Sequence, residues 1–381
     1  MRSINNKLIE FIRSKKPNGS ISLHKPTLGK IEKEYLKNCI DSNFVSTAGE
    51  TITQFENKLS QKIGIPYVVA CSSGTAALHV TLIASGVEPG TAVLTQSLSF
   101  VATANAISYC GAEPIFIDID LDTWSLSPKY LLQWLNKNAF IKNDKCYTKK
   151  DNKEVSCLLI MHTFGNAGRL KELKEIADIW KIKIVEDCAE SLGSSINRKH
   201  VGSFGLAGCI SFNGNKIITT GGGGAVITYS QEIYKKVSHI SSTARIKVSD
   251  EIEHDTLGFN YRMPSLNAAL GLAQLNRLES HLRSKRNLAQ KYEEIVHGSD
   301  VCFFSERPKT LSNYWLCTIT FLTKYDRDQA KIQFREQHIE TRSPWKPLHL
   351  LPMYQTCQSD SLTNTLIIYR QSLCLPSSPD F

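Results

Sequence analysis

Between residues 60 and 230, short runs of aliphatic and β-branched residues alternate with helix-length stretches. That rhythm predicts βαβ units around a buried, mostly parallel sheet. About seven strands are expected, at Tyr67–Cys71, Ala92–Thr95, Pro114–Ile119, Val155–Met161, Ile182–Glu186, Gly208–Phe212 and Ala225–Thr228. Between them the pattern predicts helices at Thr75–Ser85, Val101–Tyr109, Ser127–Asn136 and Leu170–Trp180, the first opening on Ser-Ser-Gly-Thr and stopping at Gly86. The Asn-, Lys- and Asp-rich stretch Asn136–Glu154 has no apolar period and reads as a solvent-exposed insertion between two strands.

After Pro264 the period changes. Leu266, Leu270, Ala273, Leu278 and Leu282 fall at helical spacing and predict one or two amphipathic helices from Ser265 to about Ile295. A strand at Trp315–Leu322, a helix at Asp326–Gln337 and a Pro-punctuated segment, Ser343–Pro352, follow. The expected organisation is a helix and extended arm over residues 1–25, a large α/β domain over 26–250, and a smaller C-terminal α+β domain over 251–381.

Composition narrows the class of protein. The chain has 381 residues, 41% hydrophobic and 21% charged, which excludes a disordered, collagenous or coiled-coil protein. Lys and Arg number 45 against 36 acids, but the excess forms no basic block with interleaved aromatics, so nucleic acid is not an expected partner. No apolar run approaches the ~18–20 residues that cross a bilayer, and the N-terminus has no signal-peptide core. A cytoplasmic protein without a membrane partner is expected. The 11 cysteines are scattered with no C-x-x-C, which argues against structural zinc, iron–sulfur ligation and a disulfide framework.

Ligands of an open α/β sheet bind at the carboxyl ends of its strands, and four such ends carry suggestive residues. Cys71-Ser72-Ser73-Gly74-Thr75 turns from strand to helix, as a plain helix cap or as a phosphate site on the helix N-terminus. Val185-Glu186-Asp187-Cys188-Ala189-Glu190 ends a strand in acids, suited to a protonated cofactor ring nitrogen or to magnesium. Neither G-x-x-x-x-G-K-[ST] nor a G-x-G-x-x-G after a strand occurs, so both nucleotide fingerprints are missing. Lys216 lies between the apolar strand that ends in Ser211-Phe212 and the glycines Gly221 to Gly224, where a partly desolvated amine suits Schiff-base chemistry and a flexible surface turn is the alternative. Ser97-Leu98-Ser99-Phe100 offers an aromatic that could lie on a planar heterocycle or belong to the core.

With these residues in place the chain resembles the DegT-type sugar-nucleotide aminotransferases, fold type I enzymes dependent on pyridoxal 5'-phosphate. The resemblance runs from about residue 22 to the C-terminus. It rests on Ser73-Gly74-Thr75-Ala76-Ala77-Leu78, Glu186-Asp187-Cys188-Ala189-Glu190, Ser211-Phe212 with Lys216 and the Thr-Thr-Gly run, and Gly258-Phe259-Asn260-Tyr261-Arg262-Met263. It implies a seven-stranded, mostly parallel sheet in the large domain and pyridoxal 5'-phosphate as cofactor. By the same resemblance Lys216 forms the Schiff base and shuttles the proton, and Asp187 pairs with the pyridinium nitrogen. Phe100 covers the ring, Gly74, Thr75 and Ser211 hold the phosphate, and Glu190 lies beside the 3'-oxygen, where other members carry Gln. Asn260 would reach the phosphate of a neighbouring subunit, which implies a homodimer with shared active sites.

One departure is Gly222, where many relatives carry an acid. The lysine loop, Glu190–Ser194 and Arg342–His349 look most like the branch acting on UDP-linked 4-keto-6-deoxy-N-acetylhexosamines. The implied reaction moves the amino group of L-glutamate to C4 of such a sugar, for bacterial surface glycans. A GDP-4-keto-6-deoxyhexose aminotransferase is the near alternative. A sugar dehydratase is disfavoured by Lys216 and by the scattered cysteines. A non-catalytic nucleotide-binding regulatory protein is the alternative from another class.

Overall fold

The computed structural model describes residues 2–381. At its centre lie seven strands: β1 (Tyr67–Cys71), β2 (Ala92–Gln96), β3 (Glu113–Ile117), β4 (Val155–Met161), β5 (Lys183–Asp187), β6 (Ala207–Ser211) and β7 (Gly224–Thr228). Their order is β1-β7-β6-β5-β4-β2-β3. β7 runs antiparallel to both its neighbours. The remaining neighbours pair in parallel, as the βαβ rhythm predicts.

Both faces of this sheet are covered. Consecutive side chains of a strand point to opposite faces, and Leu158 and Leu159 accordingly enter different cores. One core joins Cys157 and Leu159 to Leu78 and Val80 of α4 (Gly74–Ala84), Ile107 of α5 (Val101–Tyr109) and Val237 of α8 (Gln231–Ile240). The other joins Leu158 and Ile160 to Leu131 and Leu135 of α6 (Pro128–Asn138) and to Leu170 and Leu173 of α7 (Leu170–Ile179). Burial on both sides explains why these strands read as unbroken apolar runs.

Element ends move by one or two residues from the expected ones. β5 ends on Asp187, so that carboxylate belongs to the strand itself, and β6 ends on Ser211, one residue short of Phe212. The expected insertion at Asn136–Glu154 is corrected. α6 continues to Asn138, and Ala139–Lys142 then pairs with Lys145–Thr148 in a hairpin. Asn143 and Asp144 supply the two positive φ angles of its turn, a conformation their side chains tolerate. Its own Cys146 and Thr148 are buried.

α2 (Lys30–Asp41) and α3 (Glu50–Ile63) pack on α9 (Ser265–Leu275), in a core that holds Phe55, Phe212 and Leu272. α10 (Leu278–Val296) begins in that core with Leu278 and ends in another with Leu288 and Tyr292. The second core takes in Ile4, Leu8 and Ile12 of α1 (Arg2–Lys15) and Phe334 of α11 (Lys324–Glu336). It also holds residues of the sheet formed by β8 (Cys302–Phe303), β9 (Thr318–Thr320) and β10 (Ser372–Cys374), beside α12 (Thr363–Gln371). The strand expected at Trp315–Leu322 shrinks to β9. Lys285 Nζ donates to the Trp315 carbonyl at 3.1 Å and Ser377 Oγ accepts the Cys317 N–H at 2.9 Å, which replaces ladder bonds there. Among the described residues no helix is long and apolar enough to cross a membrane.

Candidate active site

A cavity of about 310 Å³ opens at the carboxyl ends of β1, β5 and β6. It is lined by Gly74, Thr75, Phe100, Asp187, Glu190, Ser211 and Lys216, all of them singled out in the sequence. Such a volume suits a cofactor-sized ligand. Asn260 does not line it. That residue is exposed and forms an isolated bridge with Ser242.

The end of β1 makes an anion cradle. Ser73 caps α4, its Oγ accepting the Ala76 N–H at 3.0 Å, while its carbonyl accepts the Ala77 N–H at 3.0 Å. The Gly74 and Thr75 N–H groups have no earlier turn to bond to and lie at the positive end of the helix dipole. A Cβ on Gly74 would stand 2.8 Å from Ser211 Cβ, so only glycine lets the β1 and β6 ends close on each other. These N–H donors and the Ser211 hydroxyl suit a phosphate.

Adjacent acids of β5 face opposite ways. Glu186 hydrogen-bonds His162 Nε2 at 3.0 Å and receives the N–H groups of Gly202, Phe204 and Gly205 at 2.7, 2.7 and 2.8 Å. Burial acts to raise its pKa, but these bonds hold the carboxyl below its ordinary value. Its oxygens are thus spent on structure. Asp187 faces the cavity and receives Thr103 Oγ1 on Oδ2 at 2.8 Å and the Ala189 N–H on Oδ1 at 3.1 Å. Burial raises its pKa, with those two bonds and the Lys216 charge opposing. A cationic ring N–H is the partner that would offset that burial.

Lys216 follows β6 in a loop where its own N–H reaches the Asn213 carbonyl at 2.9 Å and Gly221 adopts φ +80°. Its side chain is only 12% exposed, and its amine lies 3.4 Å from Glu190 Oε1, on a carboxylate 1% exposed. The Glu190 Oε2 atom receives the Phe164 N–H at 3.0 Å. Burial lowers the Lys216 pKa, partly offset by Glu190 and Asp187. Burial pushes the Glu190 carboxyl up to about 7, against the pull of Lys216. The lysine expected to do Schiff-base chemistry is therefore withdrawn from water and lies beside a proton acceptor.

Phe100 stands at the mouth, half exposed, with its ring 6.4 Å from Trp345 in an edge-on arrangement. Several lining residues lie outside the expected set: Thr103, Met161, Trp315, Arg342 and Trp345. Thr103 sits one helical turn past Phe100, a spacing that could have flagged it. Trp315 reads in sequence as the first residue of a strand, and nothing local marks it for a site almost one hundred residues from Lys216. Arg342 and Trp345 belong to a segment noted for its resemblance to relatives. Arg342 has buried Nε and Nη2 atoms without a hydrogen-bond partner among the described residues.

A doubly covered, mostly parallel sheet with a buried lysine, an acid at a strand end and a cradle suited to phosphate fits, with the family match, a fold type I, pyridoxal phosphate-dependent aminotransferase. Residues 26–381 match the model of the DegT/DnrJ/EryC1/StrS aminotransferase family, and the chain belongs to that family. It is 34% identical to GDP-perosamine synthase of Escherichia coli O157:H7 over 334 residues, 88% of this chain and 87% of the relative. It is 32% identical to GDP-perosamine synthase of Vibrio cholerae over 337 residues, 88% of this chain and 87% of the relative. The pyridoxal phosphate form of Spr1654 from Streptococcus pneumoniae superposes with a TM-score of 0.84 at 21% identity over 94% of each chain, which bears on the fold alone.

Proposed function

We propose that this sugar aminotransferase moves the amino group of L-glutamate to C4 of a nucleotide-linked 4-keto-6-deoxy sugar, with Lys216 carrying the proton. The observation that carries this reading is the buried Lys216 amine 3.4 Å from Glu190, in one cavity with Asp187 and the Gly74–Ser211 cradle.

When bound, pyridoxal phosphate supplies a ring that can draw off the electron pair released at the donor's α-carbon. In this reading the Gly74 and Thr75 N–H groups and the Ser211 hydroxyl bind the phosphate. Asp187, oriented by Thr103 and Ala189, holds the proton on the ring nitrogen. Phe100 would cover one ring face, and Glu190 would stand beside the 3'-oxygen. Lys216 removes the proton from the α-carbon of glutamate as general base, and in the second half-reaction returns a proton to C4 of the sugar. Burial supports the base role by keeping the amine less protonated than an exposed lysine. Asn260, turned out from its own cavity, would complete the site of a second copy in a homodimer.

The relatives named GDP-perosamine synthase favour a GDP-linked 4-keto-6-deoxyhexose as amino acceptor. The likeness of Glu190–Ser194 and Arg342–His349 to another branch supports the second reading, a UDP-linked 4-keto-6-deoxy-N-acetylhexosamine. Incubating the holoenzyme with glutamate and a panel of GDP-, UDP- and dTDP-keto-sugars, with mass and NMR analysis of the amine, separates them. The expected product is a GDP-linked 4-amino sugar. Absence of any yellow absorbance after incubation with pyridoxal phosphate, or its persistence in Lys216→Ala, would refute the assignment of Lys216.

A further inference from the structure

The amine of Lys216 rests on an aromatic face. Its Nζ stands 3.8 Å from the centroid of the Trp315 ring, while Glu190 Oε1 closes on it from the loop after β5. Trp315 is itself buried and held from several sides. Its indole N–H donates to the Asn215 carbonyl at 2.6 Å, one residue before the lysine. Its backbone N–H donates to Asn313 Oδ1 at 2.8 Å, and Asn313 Nδ2 in turn donates to the Glu190 carbonyl at 2.9 Å. Its carbonyl receives Lys285 Nζ at 3.1 Å, and its ring lies nearly parallel to Trp345 at 6.2 Å.

We propose that Trp315 is a positioning residue for the transamination, its indole face forming with Glu190 a seat that holds the Lys216 ammonium whenever the amine is not in covalent linkage. The inference rests on the reading of Lys216 as the proton carrier. A desolvated cation over an indole is attracted to the negative face of the ring, more strongly than at an exposed site. The seat thus favours the protonated amine against the effect of burial, and Asn313 fixes the spacing of its two walls. The other charged or titratable groups around the amine are Asp187 at the end of β5, Arg342 from the C-terminal segment and His24 from the N-terminal arm. Trp315→Leu leaves each of these groups in the chain.

The test reads the Lys216 amine directly. Full-length protein carrying pyridoxamine phosphate is pulse-labelled with trace acetic anhydride across pH, and acetylation of Lys216 is quantified by mass spectrometry. In Trp315→Leu the midpoint for Lys216 is expected to fall by about one pH unit, with exposed Lys236 as an unmoved reference. A midpoint equal to that of the parent protein overturns the proposal. Should Trp315→Leu fail to fold, replacing tryptophan by mono- and difluorotryptophan weakens the ring face without changing its shape, and the midpoint is expected to fall stepwise. A midpoint indifferent to fluorination overturns the proposal equally. Labelling needs no sugar or glutamate, so failure of the substrate assignment would appear separately, as a protein with the expected titration and no amino-sugar product.

Discussion

Thr103 Oγ1 donates to Asp187 Oδ2 at 2.8 Å, and the same hydroxyl lies 2.6 Å from Ser99 Oγ. The helix that follows Phe100 is thereby tied to the carboxylate at the floor of the cavity. One short element sets both the ring above the site and the acid below it.

That tie can be cut gently or bluntly. Asp187→Asn is expected to retain pyridoxal phosphate but to lower kcat by about 10²-fold or more, since a neutral amide cannot hold the ring nitrogen's positive charge. Thr103→Val keeps the shape and removes the hydroxyl's hydrogen bonds to Asp187 and Ser99; with ~1 kcal/mol lost at the carboxylate, kcat should fall about fivefold or more. Steady-state kinetics on holoenzyme matched for cofactor absorbance checks both. Normal turnover by Asp187→Asn would remove Asp187 from the mechanism.

Gly74→Ala places a methyl group where Ser211 Cβ would stand 2.8 Å away. Either the β1 and β6 ends separate or the hydroxyl turns from the cradle, at a cost of ~1–3 kcal/mol. We expect the affinity for pyridoxal phosphate, read by absorbance titration, to weaken at least about tenfold, and the melting temperature to drop.

Burial pushes the Glu190 carboxyl up to about 7 from its ordinary 4.5. A carboxyl raised on folding contributes stability that is fully present below the unfolded value and is lost as pH rises through the folded one. The melting temperature of Glu190→Gln minus that of the parent should therefore increase from about pH 4.5 to about pH 7. Loss of Glu190 also lowers the Lys216 pKa further, which acts in the same direction. Scanning calorimetry across this range decides the matter, and a flat or falling difference would contradict it.

If Asn260 serves the neighbouring subunit's site, two inactive variants should complement. Lys216→Ala mixed one to one with Asn260→Ala would form mixed dimers in about half of cases, each with one intact site, restoring about a quarter of parent activity. Activity no greater than the sum of the separate variants would place Asn260 outside any shared site.

Much of this protein was legible along the chain because its signals are local. Seven apolar runs were recognisable as strands, since a strand buried on both faces cannot hide its hydrophobicity, and the cavity brings together Gly74, Thr75, Phe100, Asp187, Glu190, Ser211 and Lys216 as expected. Each of these lies at or just past a strand end, and the rule that ligands bind there needs only the order of elements. The hairpin at Ala139–Thr148 went unseen because its pairing depends on a turn at Asn143-Asp144 and on cover for Cys146.

The resemblance singled out Asp187, but tertiary structure alone shows which acid of β5 faces the cavity and what surrounds the lysine. By residue type and place at the end of an apolar run, Glu186 and Asp187 look alike. The pleat sends one towards His162 and the Gly202–Gly205 loop and the other into the cavity. Trp315, Arg342 and Trp345 reach Lys216 only because the C-terminal segment folds back over the sheet. A sequence records the periodicity of each element, whereas desolvation and the contacts that offset it arise only when distant elements pack.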